Sequence, residues 1–260
     1  MFWAWAHHQL TSGLKLAPRL HDIQQLNQIA LSDADLPLTK VSIATYLEPQ
    51  VRERYRLLSA GAALGRGCGP LVVSGKAWSP GRSPSLRLAI PGRNTTAFKL
   101  AQMAIGPWVK EWIELRYDEI LPAVLSGNRV DAGVIIHESR FVYRELGLTC
   151  AFDLGEWWER ETGLPLPLGV MLARNDLTQE TVSRVEQNLR ESITLAWRLI
   201  EQPEPQALNE SLWSYLRANA IELDDTTIRS HIDLYVNQYS LDLGSEGRAA
   251  ITAFEERASS

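Results

Sequence analysis

Between residues 86 and 136 short apolar or β-branched runs alternate with amphipathic stretches, and this alternation restricts the fold more than any other feature of the chain. Period-two or continuous apolar runs predict strands at 86–90, 112–115 and 132–136, and helical spacing predicts helices at 97–105 and 119–125. Asp118 is placed to cap the second helix, Pro122 falls in its first turn, where a missing N–H costs little, and Gly127 can close it. Strand and helix in turn mean an α/β fold.

The same pattern, less regular, precedes this stretch. The first ten residues form a helix-like apolar patch that Gly13 stops. Leu14, Leu16 and Leu20 predict a strand, and Asp22 can cap a helix with Ile23, Leu26, Ile29 and Ala30 on one side. Apolar runs at 38–44, 55–58 and 70–74 read as further strands. Segment 75–85 is rich in Gly, Pro and Ser and has the composition of a linker. Beyond 136, residues 166–173 predict a returning strand. From Thr178 on the chain is helical, with Val182, Val185, Leu189, Ile193, Ala196 and Ile200 at helical spacing and three more helices near 205–218, 226–237 and 246–257. The expected division is a large lobe begun by 1–84, a small lobe of 85–171, and a helical part of the large lobe in 172–260. Two α/β lobes of this kind enclose a cleft, the usual place for a small ligand.

Composition excludes several classes. In 260 residues, 26 Lys and Arg are scattered among 31 Asp and Glu, a net charge of −5, so no basic stripe offers a nucleic-acid footprint. No apolar run reaches the ~18–20 residues that span a bilayer, and the first residues lack the basic leader of an export signal. Cys68 and Cys150 form no CxxC motif and read as reduced thiols of a cytoplasmic protein.

His137 follows the apolar run 132–136 and so leaves the carboxyl end of a strand, the edge where open α/β sheets place ligands. Its imidazole is a candidate general base. A half-buried histidine tied to a backbone carbonyl would look the same in sequence. His137-Glu138 also begins an HExxH pattern, but the fifth position is Phe141, and His7-His8 lacks the i, i+4 spacing of two ligands on one helix face, so no metal is expected. Thr95 and Thr96, beside Arg93, sit where a strand passes into a helix, and either can cap it while first-turn N–H groups attract an anion. Lys40 and Ser42 share one face of a strand, with Val41 on the other; the plain alternative is a strand end that reaches solvent. The loop 61–70 carries four glycines but has Pro70 where a dinucleotide fingerprint needs glycine, and it precedes a strand where that fingerprint opens a helix. Cys68 within it is a candidate nucleophile without an evident histidine partner. The nine tryptophans read as core rings.

Taken together, Thr39-Lys-Val-Ser42, the glycine loop through Leu71, Thr95-Thr96-Ala97, Asp131-Ala-Gly-Val-Ile-Ile-His-Glu138, Leu166-Pro-Leu-Gly-Val170 and His231-Ile-Asp-Leu-Tyr-Val-Asn237 resemble the 1,4-dihydroxy-6-naphthoate synthase family of the futalosine route to menaquinone. The resemblance runs in order along essentially the whole chain. The sister chorismate dehydratases of that route match these runs less well. It implies a periplasmic-binding-protein-like type II fold with two α/β lobes, C-terminal helices and a catalytic cleft. It also implies a lyase that splits cyclic dehypoxanthinyl futalosine into 1,4-dihydroxy-6-naphthoate and dihydroxyacetone without metal or organic cofactor. By that carry-over His137 accepts the proton, Lys40, Val41 and Ser42 line one wall of the substrate site, and Thr95 and Thr96 hold a small carboxylate substrate from the other lobe. The rival readings are a non-catalytic carboxylate-binding protein of the same fold and an inactive homologue. The family opens with an apolar strand and a Ser-Pro-x-Pro-Asn-Asp-like turn ahead of the helix matched by Met1-Phe-Trp-Ala-Trp5; the expectation is therefore a fold without its first strand and an internal Met1, which in-frame translation upstream would test.

Overall fold

Two sheets carry the fold in a computed structural model that describes residues 1–11, 14–32, 36–75, 85–137, 139–220 and 224–259. In chain order the elements are α1 (Trp3–Ala6), α2 (Ile23–Leu31), β1 (Leu38–Ser42), α3 (Ile43–Tyr46), α4 (Pro49–Arg54), β2 (Tyr55–Leu57), β3 (Ala63–Gly65), β4 (Leu71–Ser74), β5 (Leu86–Ile90), α5 (Thr96–Ile105), β6 (Val109–Glu114), α6 (Ile120–Ser126), β7 (Ala132–Ile135), α7 (Ser139–Val142), β8 (Thr149–Asp153), α8 (Leu154–Thr162) and β9 (Leu166–Arg174). Helices α9 (Gln179–Glu201), α10 (Gln206–Asn219), α11 (Asp225–Tyr235), α12 (Gln238–Leu241) and α13 (Gly244–Ala258) close the chain. The α/β expectation holds.

In the first sheet β1, β2 and β3 each pair antiparallel with β9, the register running from Leu38 opposite Ala173 to Ser42 opposite Gly169 along β1. The second sheet has the order β6-β5-β7-β4-β8, with β5 parallel to β6 and β7, and β4 antiparallel to β7 and β8. Parallel pairs need crossover helices, and α5 and α6 supply them. Gly133 lets α6 lie close on β7: a Cβ there would stand 2.4 Å from Ile120 Cγ2 and 2.9 Å from Val124 Cγ2. One core cluster reaches across both sheets, from Val41, Leu64 and Leu172 to Leu88, Val134 and Trp158, with Phe254 of α13. Burying each large side chain of this kind contributes about 1.5–3 kcal/mol. Long α9 begins where Thr178 accepts the Thr181 N–H and buries Val182, Val185, Leu189 and Ile193.

The structure revises several local expectations. Residues 14–20 form no strand, and the Leu14 carbonyl accepts the indole N–H of Trp5 at 2.7 Å instead. Alternating leucines report one-sided burial, but a strand also needs a partner edge. Asp118 does not cap α6; it pairs with Arg116 at 2.5 Å, and a one-turn 3-10 helix, Tyr117–Glu119, leads into the helix. Strand β4, grouped by its sequence position with the first part of the large lobe, lies inside the second sheet. The Gly13 stop, most of the 75–85 linker and Glu138 lie outside the described residues. Among the described residues no helix is long and apolar enough to cross a membrane.

Candidate active site

β7 ends at Ile135, and two residues later His137 takes a left-handed backbone conformation, φ +55°. For a residue with a Cβ that conformation costs about 1–2 kcal/mol, and such strain concentrates at functional sites. The ring meets the edge of Tyr117 at 5.5 Å between centroids and faces His231 of α11 at 6.5 Å. His231 in turn lies between Tyr235 at 4.7 Å and Phe141 at 6.4 Å. No described residue hydrogen-bonds either ring nitrogen of His137, so the carbonyl-tied alternative does not apply among them. Desolvation in this aromatic surround, assisted by the charge of Lys40 and opposed by Asp22, lowers its pKa to about 4. The imidazole is therefore neutral near pH 7, the form able to accept a proton.

Lys40 lies on β1 opposite Met171, half-buried, with its Nζ 3.5 Å from Met1 Sδ and no carboxylate partner among the described residues. Desolvation lowers its pKa to about 8. Its charge is felt at His137, so the base lies within the field of a cation that can hold a carboxylate. Val41, expected along a substrate wall, is fully buried and packs its side chain into the core cluster. Ser42, at the end of β1, is buried, and its N–H donates to Asn27 Oδ1 at 2.8 Å while its Oγ accepts from Asn27 Nδ2 at 2.9 Å.

Thr95 caps α5: its Oγ1 accepts the Phe98 N–H at 3.2 Å and donates to the Gly92 carbonyl at 2.7 Å. Thr96 Oγ1 donates to the Leu168 carbonyl on β9 at 2.7 Å. Both hydroxyl protons are thus taken up by backbone, and each threonine positions the turn rather than standing free. Asn27 joins this turn to β1, because its Nδ2 also donates to the Asn94 carbonyl at 2.9 Å, which Thr45 Oγ1 reaches at 2.8 Å. One buried amide thus ties the strand of Lys40 and Ser42 to the turn of Thr95 and Thr96.

The remaining sequence candidates resolve differently. The glycine loop packs against α8: Gly67 donates its N–H to Glu159 Oε1 at 2.7 Å, and a Cβ on Gly155 would stand 2.0 Å from the Cys68 carbonyl. Cys68 is fully buried, and burial pushes its thiol up to about 12, which removes it as a nucleophile. Among the described residues no cluster of three or more His, Cys, Asp or Glu could hold a metal ion. Trp3, Trp5 and Trp158 are core rings. A surface groove of about 620 Å³, lined in part by Ala44, Arg52, Lys99 and Glu255, includes none of the six candidate residues.

Sequence reasoning passed over Asn27, Tyr117 and His231 as site residues. Asn27 did leave a signal: it stands four residues after Ile23 and three before Ala30, a polar side chain on the apolar face of α2. Tyr117 left none, because only the tertiary fold brings its ring to His137.

Comparison with known proteins places this geometry in a family. A family model described as menaquinone biosynthesis matches residues 1–260. A 1,4-dihydroxy-6-naphthoate synthase of Thermus thermophilus is 46% identical over 256 residues, covering 96% of this chain and 86% of that protein. One of Streptomyces coelicolor is 37% identical over 262 residues, covering 99% and 88%. A crystal structure of a protein from Archaeoglobus fulgidus superposes with a TM-score of 0.86 at 35% identity over 99% of this chain and 91% of that one. The periplasmic aliphatic sulphonate binding protein SsuA of Escherichia coli, 14% identical with a TM-score of 0.56 over 90% of this chain and 73% of its own, shares the fold alone. The fold is thus the periplasmic-binding-protein-like one that the motifs implied, and the chain belongs to the menaquinone biosynthesis family, beside the 1,4-dihydroxy-6-naphthoate synthases.

Proposed function

We propose that this chain is a cytoplasmic lyase that converts cyclic dehypoxanthinyl futalosine into 1,4-dihydroxy-6-naphthoate and dihydroxyacetone, with His137 as the general base. The observation that carries the reading is a neutral imidazole, unbonded by any described residue, held in a strained conformation beside the charge of Lys40. The identity to two synthases named for that product supports it.

In this reading the two lobes are built around the two sheets, and the substrate lies between β1 and the α5 turn. Its aromatic carboxylate is held by the Lys40 ammonium and by the positive end of α5, where oriented N–H groups favour an anion. Ser42, fixed by Asn27, and Thr95 and Thr96, fixed by their backbone bonds, set the width of the site. His137 removes the proton that starts ring opening, a step to which a positioned base contributes about 10²–10⁴ in rate. Formation of an aromatic ring supplies the thermodynamic pull. Incubating the purified protein with the cyclic substrate tests this: dihydroxynaphthoate should appear by its absorbance, and a protein that binds the substrate without forming product would instead be the carboxylate-binding alternative.

A further inference from the structure

A left-handed backbone at a non-glycine residue persists only where its surroundings over-determine it, so something must hold His137 in place. Its own ring does not, since no described residue hydrogen-bonds it, and an aromatic edge contact such as that of Tyr117 is weak and adaptable. Residues Ser139–Val142 form the single turn α7, and the His137 carbonyl accepts the Arg140 N–H of that turn at 3.3 Å. A helix of four residues has no stability of its own. The Arg140 side chain leaves that turn and reaches across to the loop between the sheets. There Nη1 donates to the Gly69 carbonyl at 2.7 Å, Nη2 to the Gly67 carbonyl at 3.0 Å, and Nη2 also lies 3.4 Å from Asp153 Oδ2.

That anchor is rigid. Gly67 is bonded to Glu159, the loop is pressed on Gly155, and Asp153 is fixed by accepting the Gly155 and Glu156 N–H groups at 2.9 and 3.0 Å. The guanidinium is largely buried, and its planar fork suits two carbonyls side by side in a way that an ammonium does not.

We propose that Arg140 is a positioning residue for the proton transfer: its clamp on Gly67 and Gly69 holds the α7 turn and, through it, the left-handed backbone of His137. This rests on the reading of His137 as the base. Releasing the clamp lets residue 137 relax to an ordinary backbone region and carries its ring toward water. The ionisable groups that face His137, Lys40 on β1, Asp22 ahead of α2, Tyr117 and His231, stay where they are.

The test follows Arg140→Ala and Arg140→Lys by two measurements. The first is NMR titration of the His137 ring, assigned by comparison with His137→Asn. The expected result is a ring that titrates near pH 4 in the parent and closer to 6.5 in Arg140→Ala. The second is turnover of the cyclic substrate, for which kcat should fall by about 10²-fold with KM nearly unchanged, as expected when a catalytic group moves by about an ångström. Millimolar guanidinium should restore part of the kcat of Arg140→Ala, and ethylammonium should not. Arg140→Lys, which keeps the charge and most of the volume, should behave like the alanine variant and decides the matter if Arg140→Ala does not fold. An unmoved His137 titration, or a loss confined to KM, overturns the proposal. A parent protein without turnover overturns the functional reading instead, and the titration still decides the role of Arg140.

Discussion

Asn27 grips Ser42 at two points, its Oδ1 taking the backbone N–H at 2.8 Å and its Nδ2 giving to the hydroxyl at 2.9 Å. The amide is fully buried, so these bonds are made away from water. Asn27→Leu keeps the branching at Cγ but leaves the Ser42 N–H without its acceptor, a cost of about 1–3 kcal/mol for a buried donor. Urea unfolding should show a lower midpoint with an unchanged slope, and turnover should fall because β1 and the α5 turn lose their common tie.

His137→Asn should fold and bind but lose turnover by about 10²–10⁴, the contribution of a positioned general base. Asparagine tolerates the left-handed region, so circular dichroism and thermal midpoint should stay near those of the parent. His137→Val removes the same imidazole but puts a β-branched side chain where φ is +55°, and should in addition lower the melting temperature. Retained turnover in the asparagine variant would remove His137 from the mechanism.

The pH profile of kcat/KM should be bell-shaped with unusually wide limbs. Activity needs neutral His137 and charged Lys40, so it should fall as pH drops through about 4 and again as pH rises through about 8. Both groups are bases with lowered pKa, so the unfolded chain binds more protons between about 4 and 6.5 for His137 and between about 8 and 10.5 for Lys40. Stability therefore rises with pH inside each window, and the His137 contribution, complete above 6.5, is lost on acidification toward 4. An acid limb near 6.5 would show that the imidazole is solvated.

Gly133→Ala should destabilise by about 1–3 kcal/mol, the cost of an extra methyl group in a packed core. The new Cβ would collide with Ile120 and Val124, whose branched side chains cannot both turn away. Differential scanning calorimetry should record a drop of about 2–4 °C per kcal/mol for a chain near this size.

The sequence disclosed what local rules and long motifs govern. Caps at Asp22 and Thr95 and the left-handed Gly127 at the end of α6 appear where side-chain chemistry placed them. The motifs carried the family, and through it His137 and its neighbours. Pairing was not legible, because it depends on distant partners. β8, Thr-Cys-Ala-Phe-Asp, is an edge strand open to solvent, with too little apolar pattern to announce itself. The leucines at 14, 16 and 20 show the converse, a pattern without a pairing. Val41 is core rather than wall, since the odd positions of β1 face the core while Leu38 and Lys40 alternate onto the less covered face. Tyr117 and Asn27 act at the site through contacts across about 20 and 15 residues or more of chain, beyond any local rule.

Among the described residues β1, β2 and β3 pair with β9 alone, and this sets an order of assembly on the ribosome. Every strand of the second sheet has been synthesised once Asp153 has emerged, so that sheet can close early. The three earlier strands wait for Leu166–Arg174, with Leu38 meeting Ala173 at the far end of the ladder. Until then they present unsatisfied edges, the kind of surface on which nascent chains misassociate. A stalled or slowly translated stretch before residue 174 would thus expose the half of the molecule that carries Lys40 and Ser42 while the half that carries His137 was already formed.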